Sequence, residues 1–311
     1  MLFGDFPYCG TFLVDKMADL QDRGVDVEIF ALKKLVNEGT PRRYFEYKME
    51  KWTHFLDYPN NFLLRILAAI PKFIHILFAR PVILSRVLNF KKYGRNALSL
   101  KLLFWVEPFL GKKFDLMHCH FGPIANKFLI IRDILGLEQK FMTTFYGYDV
   151  SHIFKEKPAN YYDRLKKECS LFIVMSQDMK ERIIGQGFPA EKIEILPPGI
   201  DADSYTFKER KLNEGEPVKI VSVGRFVEKK GFDDLLKALA IVNEKSVRPF
   251  ECEIIGDGPL RDEIHALAAE LNVKKEIKFK GYMPIEDILK IFMDRHFFVQ
   301  PSKTAKDGDM E

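Results

Sequence analysis

The chain has 311 residues, of which 47% are hydrophobic and 30% charged, and its formal net charge is +4. That composition speaks for a soluble globular chain and against a disordered one, and the length leaves room for two domains, each with its own core. Four cysteines, Cys9, Cys119, Cys169 and Cys252, lie far apart with no CxxC pair, which argues against a disulfide framework or zinc ribbon and for free thiols in a reducing cytoplasm.

Residues 1–10 carry neither a basic n-region nor a long apolar run, so no secretory signal is expected. The first strand has only residues 1–4 to draw on. Leu13, Lys16, Met17 and Leu20 then share one helix face, and Gly24 stops that helix before a strand-like VDVEIFAL at 25–32. Residues 114–119 (FDLMHC) read as the next strand. Ile124, Phe128, Ile131 and Leu135 recur at helical spacing, with Gly136 as the stop. Short strands follow at 140–145, 171–175 and 192–196, and Ser176 is positioned to cap the helix after Met175. Pro197-Pro198-Gly199 opens a polar, turn-rich stretch, so residues 197–217 read as a linker between a domain at 1–196 and a second at 218–311. Strands at 218–223, 251–255, 276–280 and 296–300 alternate there with helices near 232–244, 259–271 and 285–293. This alternation predicts an α/β protein with a parallel, doubly wound sheet in each domain. Four strands are fewer than such a sheet of about six requires, so the expectation is a fragment clipped at both ends, its C-terminal domain incomplete.

Charge is unevenly placed. From Tyr58 to Val106 there is no Asp or Glu, yet Arg65, Lys72, Arg80, Arg86, Lys91, Lys92, Arg95 and Lys101 supply eight cations. An acid-free stretch rich in Leu, Ile and Phe suits the surface of an anionic membrane. An ordinary amphipathic helical pair with its cations outward is the competing reading. Arg65, Lys72 and Arg80, with Pro71 and Pro81, argue against a spanning helix. Nucleic acid is not expected as a partner, because no reading motif accompanies the patch.

The segment from Val218 to Phe232, VKIVSVGRFVEKKGF, carries the most chemistry. A buried strand (Ile220, Val221, Val223) runs into Gly224, Arg225, a short charged loop, Lys230-Gly231 and a helix. A strand that delivers a loop to a helix N-terminus builds an anion site from free N–H groups and the positive dipole end. Arg225 and Lys230 add two full charges where ligands of such sheets bind. A surface loop with merely solvated cations stays open as the alternative. Gly256 and Gly258 flank Asp257 at another strand end and read first as a tight turn. His118 and His120 bracket Cys119 on one strand, which puts both imidazoles on one face and the thiol opposite. No third or fourth ligand accompanies them, so a zinc site is not expected.

GRFVEKKG at 224–231, IIGDGPL at 254–260, FKGYM at 279–283 and QPSKTAKDGDME at 300–311 resemble retaining glycosyltransferases of family 4. In the first half, FP at 6–7 with TF at 11–12, HCHFG at 118–122, YGYD at 146–149 and residues 175–201 are similar too. The resemblance is to the exopolysaccharide, colanic-acid-type branch and covers nearly the whole chain. It implies the GT-B fold, two Rossmann-like domains facing a cleft, and no required cofactor or metal. It implies a UDP-, GDP- or ADP-sugar as donor and an exopolysaccharide or lipid-pyrophosphate-linked oligosaccharide as acceptor. Placement is expected in the cytoplasm, peripheral on the inner membrane face through residues 58–106.

By this resemblance Arg225 and Lys230 grip the donor diphosphate, with Gly224 beside them. Glu311 corresponds to the first of the family's two acidic residues, and the second would fall beyond residue 311. His120 is expected to face the cleft and bond the donor sugar, with His118 supporting it. Gly10 lies where the family brings backbone close to donor and acceptor, although the loop reads PYCGT and not a double glycine; a plain turn is the alternative. Gly281, Tyr282 and Met283 are expected to offer backbone contacts to the nucleobase. Asp149 is read as ordering the cleft wall, and Tyr146, standing where the family often has His, argues against a direct catalytic role. Two rival readings remain: a non-catalytic nucleotide- or glycan-binding protein, and another GT-B enzyme such as an epimerase or a phosphorylase.

Overall fold

The computed structural model describes residues 1–7, 11–36, 39–200, 202–246 and 248–309. Two compact units divide the chain, Met1–Gly199 and Ile200–Glu311. Each is built on one sheet in which every paired strand is parallel.

Unit 1 begins with β1 (Leu2–Pro7), α1 (Thr11–Asp22), β2 (Ile29–Leu35), α2 (Arg42–Glu46) and β3 (Thr53–Phe55). The acid-free region forms α3 (Phe62–Ala79) and four short helices, α4 (Pro81–Val87), α5 (Phe90–Tyr93), α6 (Arg95–Leu98) and α7 (Lys101–Val106). The alternation then resumes with β4 (Met117–His120), α8 (Gly122–Leu135), β5 (Phe141–Thr144), α9 (Tyr148–Glu156), α10 (Asp163–Glu168), β6 (Leu171–Val174), α11 (Gln177–Gly185) and β7 (Ile193–Ile195). Among the described residues the sheet has seven strands in the order β3-β2-β1-β4-β5-β6-β7. All four residues of β4 are buried, as a central parallel strand covered on both faces requires.

Several boundaries differ from the sequence expectation. β1 reaches Pro7 because Phe6, beyond Gly4 and Asp5, is fully buried and the pairing with β2 continues to Leu35. β2 starts at Ile29, not 25. The preceding residues are used to close α1, where Val25 N–H donates to Leu20 at 3.0 Å and Gly24 N–H to Gln21 at 2.9 Å across a left-handed Gly24. Phe114 lies outside β4 and joins a ring cluster with Phe30 and Phe109. Ser176 does cap α11, its hydroxyl accepting from Met179 N–H at 3.3 Å.

Unit 2 contains β8 (Val218–Val223), α12 (Phe232–Lys245), β9 (Phe250–Ile255), α13 (Arg261–Glu270), β10 (Ile277–Gly281), α14 (Ile285–Phe292) and β11 (Phe297–Phe298). Its sheet runs β10-β9-β8-β11 among the described residues. The expected strand at 296–300 shrinks to two exposed residues because only Phe297 and Phe298 find register with Ile220 and Val221. Arg210, from the polar segment before β8, donates to the carbonyls of Phe292 and Met293 at the end of α14.

Candidate active site

In unit 2 the parallel strands bring Gly224, Gly256, Gly281 and Gln300 to one edge of the sheet, the carboxyl end where α/β sheets bind ligands. The loops there are stitched backbone to backbone. Gly224 N–H donates to Ile255 at 3.0 Å, Phe226 N–H to Asp257 at 2.9 Å, Leu260 N–H to Phe226 at 3.1 Å and Gly256 N–H to Gly281 at 2.8 Å. Gly256 has φ +146°, and a Cβ placed on it would sit 1.9 Å from the Gly224 carbonyl oxygen. Only a residue without a Cβ permits that approach. Gly258 likewise adjoins the Phe226 backbone, so these glycines do more than form the tight turn expected of them.

Arg225 is exposed on this edge, and its guanidinium has no ion pair among the described residues. Lys230 is half-buried, and its stem folds back over Gly224, where a Cβ would meet Cδ at 3.3 Å. The two cations therefore belong to one loop, with Gly224 leaving space for the lysine stem. Gly231 then adopts φ +64°, and a Cβ there would lie 1.9 Å from the carbonyl oxygen of Pro301. The segment after β11 thus presses on the start of α12. Lys303 N–H donates to Lys229 at 2.8 Å, while its ammonium bonds Asp233 at 2.7 Å and Asp234 at 2.8 Å.

This changes the electrostatics read from the sequence. The first turn of α12 is not a bare positive end, because it carries Asp233 and Asp234, which pair with Lys303 and Lys237. Attraction of an anion falls mainly to Arg225 and Lys230. Sequence reasoning did not single out Lys303; two consecutive Asp in a helix's first turn were the available signal that a cation was needed. Tyr282 is exposed, whereas the Met283 side chain packs against the small cluster of Val221, Ile255 and Ile288. Gly281 is linked to the Gly224 loop through Gly256, whose N–H donates to the Gly281 carbonyl and whose backbone abuts Gly224. Glu311 and Gly10 lie outside the described residues.

In unit 1, period-2 geometry stacks His118 on His120 with ring centroids 4.1 Å apart. Phe3 covers the other face of His120 at 4.3 Å. His120, expected to face the cleft, is fully buried in this structure, with Phe3 from β1 and Tyr146 after β5 packed around it. Its Nδ1 is 2.7 Å from the Tyr146 hydroxyl, and its Nε2 is buried with no hydrogen-bond partner among the described residues. Burial, with the charge of Lys16 nearby, holds both imidazoles well below their usual pKa and thus neutral at pH 7. His118 Nε2 is 2.7 Å from the Thr144 hydroxyl. No group of three or more His, Cys, Asp or Glu among the described residues is arranged to hold a metal.

Asp149 ties the loop after β4 to the loop after β5. One carboxylate oxygen accepts from Gly122 N–H at 3.2 Å and from Tyr146 N–H at 3.3 Å, while the other is buried without a partner. Burial outweighs these bonds and pushes its pKa up to about 7. The folded state then holds the proton more tightly than the unfolded state, whose Asp titrates near ~3.9. Stability from this group is complete below the unfolded pKa and is lost as pH rises through about 7. Asp149→Asn should flatten that slope and gain on the order of a few kcal/mol relative to wild type at pH 8. Denaturant melts from pH 4 to 8 check this; parallel pH profiles would contradict it.

With this geometry in hand, comparison with known proteins places the chain. Residues 10–204 match the family model of Glycosyltransferase Family 4, and residues 204–308 match that of Glycosyl transferases group 1. The chain belongs to glycosyltransferase family 4. It is 31% identical to the amylovoran biosynthesis glycosyltransferase AmsK of Erwinia amylovora, over 97% of this chain and 74% of that protein. Against the putative colanic acid biosynthesis glycosyltransferase WcaL of Salmonella typhimurium it is 28% identical, with the same two coverages. Its relatives thus include proteins of the exopolysaccharide branch. Among solved structures, Anabaena HepE in complex with UDP superposes with a TM-score of 0.62 at 16% identity, covering 98% of this chain and 74% of that one. The apo lipopolysaccharide outer core galactosyltransferase WaaB gives 0.57 at 15% identity over 97% and 74%. At such identities these neighbours speak to the fold alone, which is that of GT-B glycosyltransferases.

Proposed function

We propose that the chain transfers a sugar from a nucleotide-sugar donor to an exopolysaccharide or lipid-linked oligosaccharide acceptor, with retention at the anomeric carbon. The observation that carries this reading is the Gly224–Gly231 loop of unit 2, which offers Arg225 and Lys230 at the carboxyl edge of a parallel sheet. A nucleoside diphosphate is the leaving group of such a reaction. The charge it gains in the transition state is what these two cations stabilise. The names of AmsK and WcaL, amylovoran and colanic acid biosynthesis, support the acceptor class. The complexes of HepE with UDP and with UDP-glucose support a nucleotide donor.

In the proposed step the bond from the anomeric carbon to the diphosphate oxygen breaks while an acceptor hydroxyl attacks the same face. The acceptor proton passes to the departing diphosphate. No side-chain nucleophile is invoked: Asp149 is fully buried and committed to two backbone N–H groups. The test is proton NMR of the product formed from each of UDP-, GDP- and ADP-linked sugars with a lipid-linked acceptor. An anomeric coupling matching the donor's configuration is expected from one donor. An inverted product would overturn retention, and nucleotide binding without any transfer would favour the purely binding protein.

A further inference from the structure

α3 is the most anomalous surface element of unit 1. Its 18 residues are long and apolar enough to cross a membrane, with a mean hydropathy of 1.9, yet only 17% of the helix is buried. The buried residues are Arg65, Ala69 and Ile76, which at 100° per residue occupy a narrow wedge. Leu63, Leu67, Ile70, Ile74 and Phe78 fall in a separate stripe about 80° wide and are all exposed, Leu67 at 63% and Phe78 at 82%. A helix apolar on nearly every side and solvated on most of them departs from the pattern of a helix that faces water.

Charge identifies what would cover it. No Asp or Glu occurs between Tyr58 and Val106, and the acid that closes this stretch, Glu107, is held by Lys72 at 2.9 Å and His75 at 2.7 Å. The eight cations are not all outward, although the competing reading of an ordinary amphipathic helical pair requires it. Arg65 is buried and donates to the carbonyls of Pro59, Asn60 and Ser99. Lys92 pairs with Asp133 at 3.0 Å, and Arg86 donates to the Ile134 carbonyl. Arg80, at the end of α3, Lys91 on α5 and Arg95 on α6 are exposed with no ion pair among the described residues, while Lys101 is half-buried with its ammonium 5.1 Å from the Tyr58 ring centroid. An exposed apolar helix in an acid-free stretch that also carries exposed, unpaired cations matches the interface of an anionic bilayer, with hydrocarbon below and phosphate above.

We infer that α3 lies in the plane of an anionic phospholipid surface, its Leu63–Phe78 stripe in the acyl boundary and Arg80, Lys91 and Arg95 at the headgroups. The helix does not span. Spanning would strip Arg65 from three carbonyls and Lys72 from Glu107 and take both cations into hydrocarbon. Because few cations in this stretch are both exposed and without an ion pair, attachment is mainly apolar, and salt weakens it without abolishing it. The inference concerns unit 1 alone and stands whether or not the chain transfers sugar.

Co-sedimentation of the whole chain with phosphatidylcholine vesicles, with and without phosphatidylglycerol, tests it. Binding is expected to be stronger with phosphatidylglycerol and to survive in part at 0.5 M salt. Leu67→Asp with Phe78→Asp, both exposed in the fold, should weaken it by at least about tenfold. Arg80→Glu, Lys91→Glu and Arg95→Glu together should remove the preference for phosphatidylglycerol. Bound protein should be released by alkaline carbonate. Absence of binding to either vesicle, or binding unchanged by the aspartates, overturns the inference. Retention after carbonate overturns the in-plane orientation. A lipid-free dimer that the aspartates dissociate would show that a second copy covers the face, which also overturns it.

Discussion

Replacing Arg225 by alanine should lower sugar transfer by about a hundred- to a thousand-fold, the usual cost of removing one group that stabilises developing negative charge. The guanidinium is exposed and makes no ion pair among the described residues, so nothing in the fold depends on it. Thermal stability should therefore stay within about 0.5 kcal/mol of wild type, as for surface substitutions generally. That separation distinguishes a catalytic role from a structural one. Arg225→Lys should recover only part of the activity, since an ammonium lacks the planar fork that matches phosphate oxygens. Steady-state turnover with the native donor, measured beside melting curves, reads both quantities. Unchanged turnover in Arg225→Ala would remove the loop from the active site.

Gly256→Ala should damage unit 2 in a different way. The new Cβ would meet the Gly224 carbonyl oxygen at 1.9 Å, and φ +146° is itself strained for any residue with a side chain. Overpacking and backbone strain each cost about 1–3 kcal/mol, so a loss of about 3 kcal/mol or more is expected. The Gly224–Ile255 and Gly256–Gly281 bonds must open to relieve the clash, and donor binding should fail with them. Trp52 and Trp105 both lie in unit 1, so tryptophan fluorescence would miss the effect. Amide hydrogen exchange across 218–281 would report it, and protection equal to wild type would contradict it.

What could be read without coordinates followed from local rules. The pairing of His118 with His120 needs only the two-residue period of a strand, and the Ser176 cap needs only its position before a helix. The Gly224–Gly231 loop was legible because strand, glycine, cations and helix follow one another without interruption. Long-range contacts were hidden. His120 is buried by Phe3 and Tyr146, which lie far from it in sequence. Arg65 belongs to a run of surface-like cations, yet it is buried by carbonyls as distant as Ser99. Lys303 meets Asp233 across 70 residues. β3 was missed because three residues carry too little alternation to stand out, and only pairing with β2 defines it. Family resemblance supplied roles for Arg225 and Lys230 that spacing alone left equal to those of solvated cations.

Sugar transfer from a nucleotide donor requires the Gly224–Gly231 loop to seat a diphosphate. Isothermal titration of the chain with UDP, GDP and ADP tests this most directly, without requiring knowledge of either sugar or acceptor. One nucleoside diphosphate should bind, its affinity falling at least about tenfold in Arg225→Ala, in keeping with the loss of a charge-assisted contact. Binding of equal strength in wild type and in a variant lacking both Arg225 and Lys230 would contradict the account.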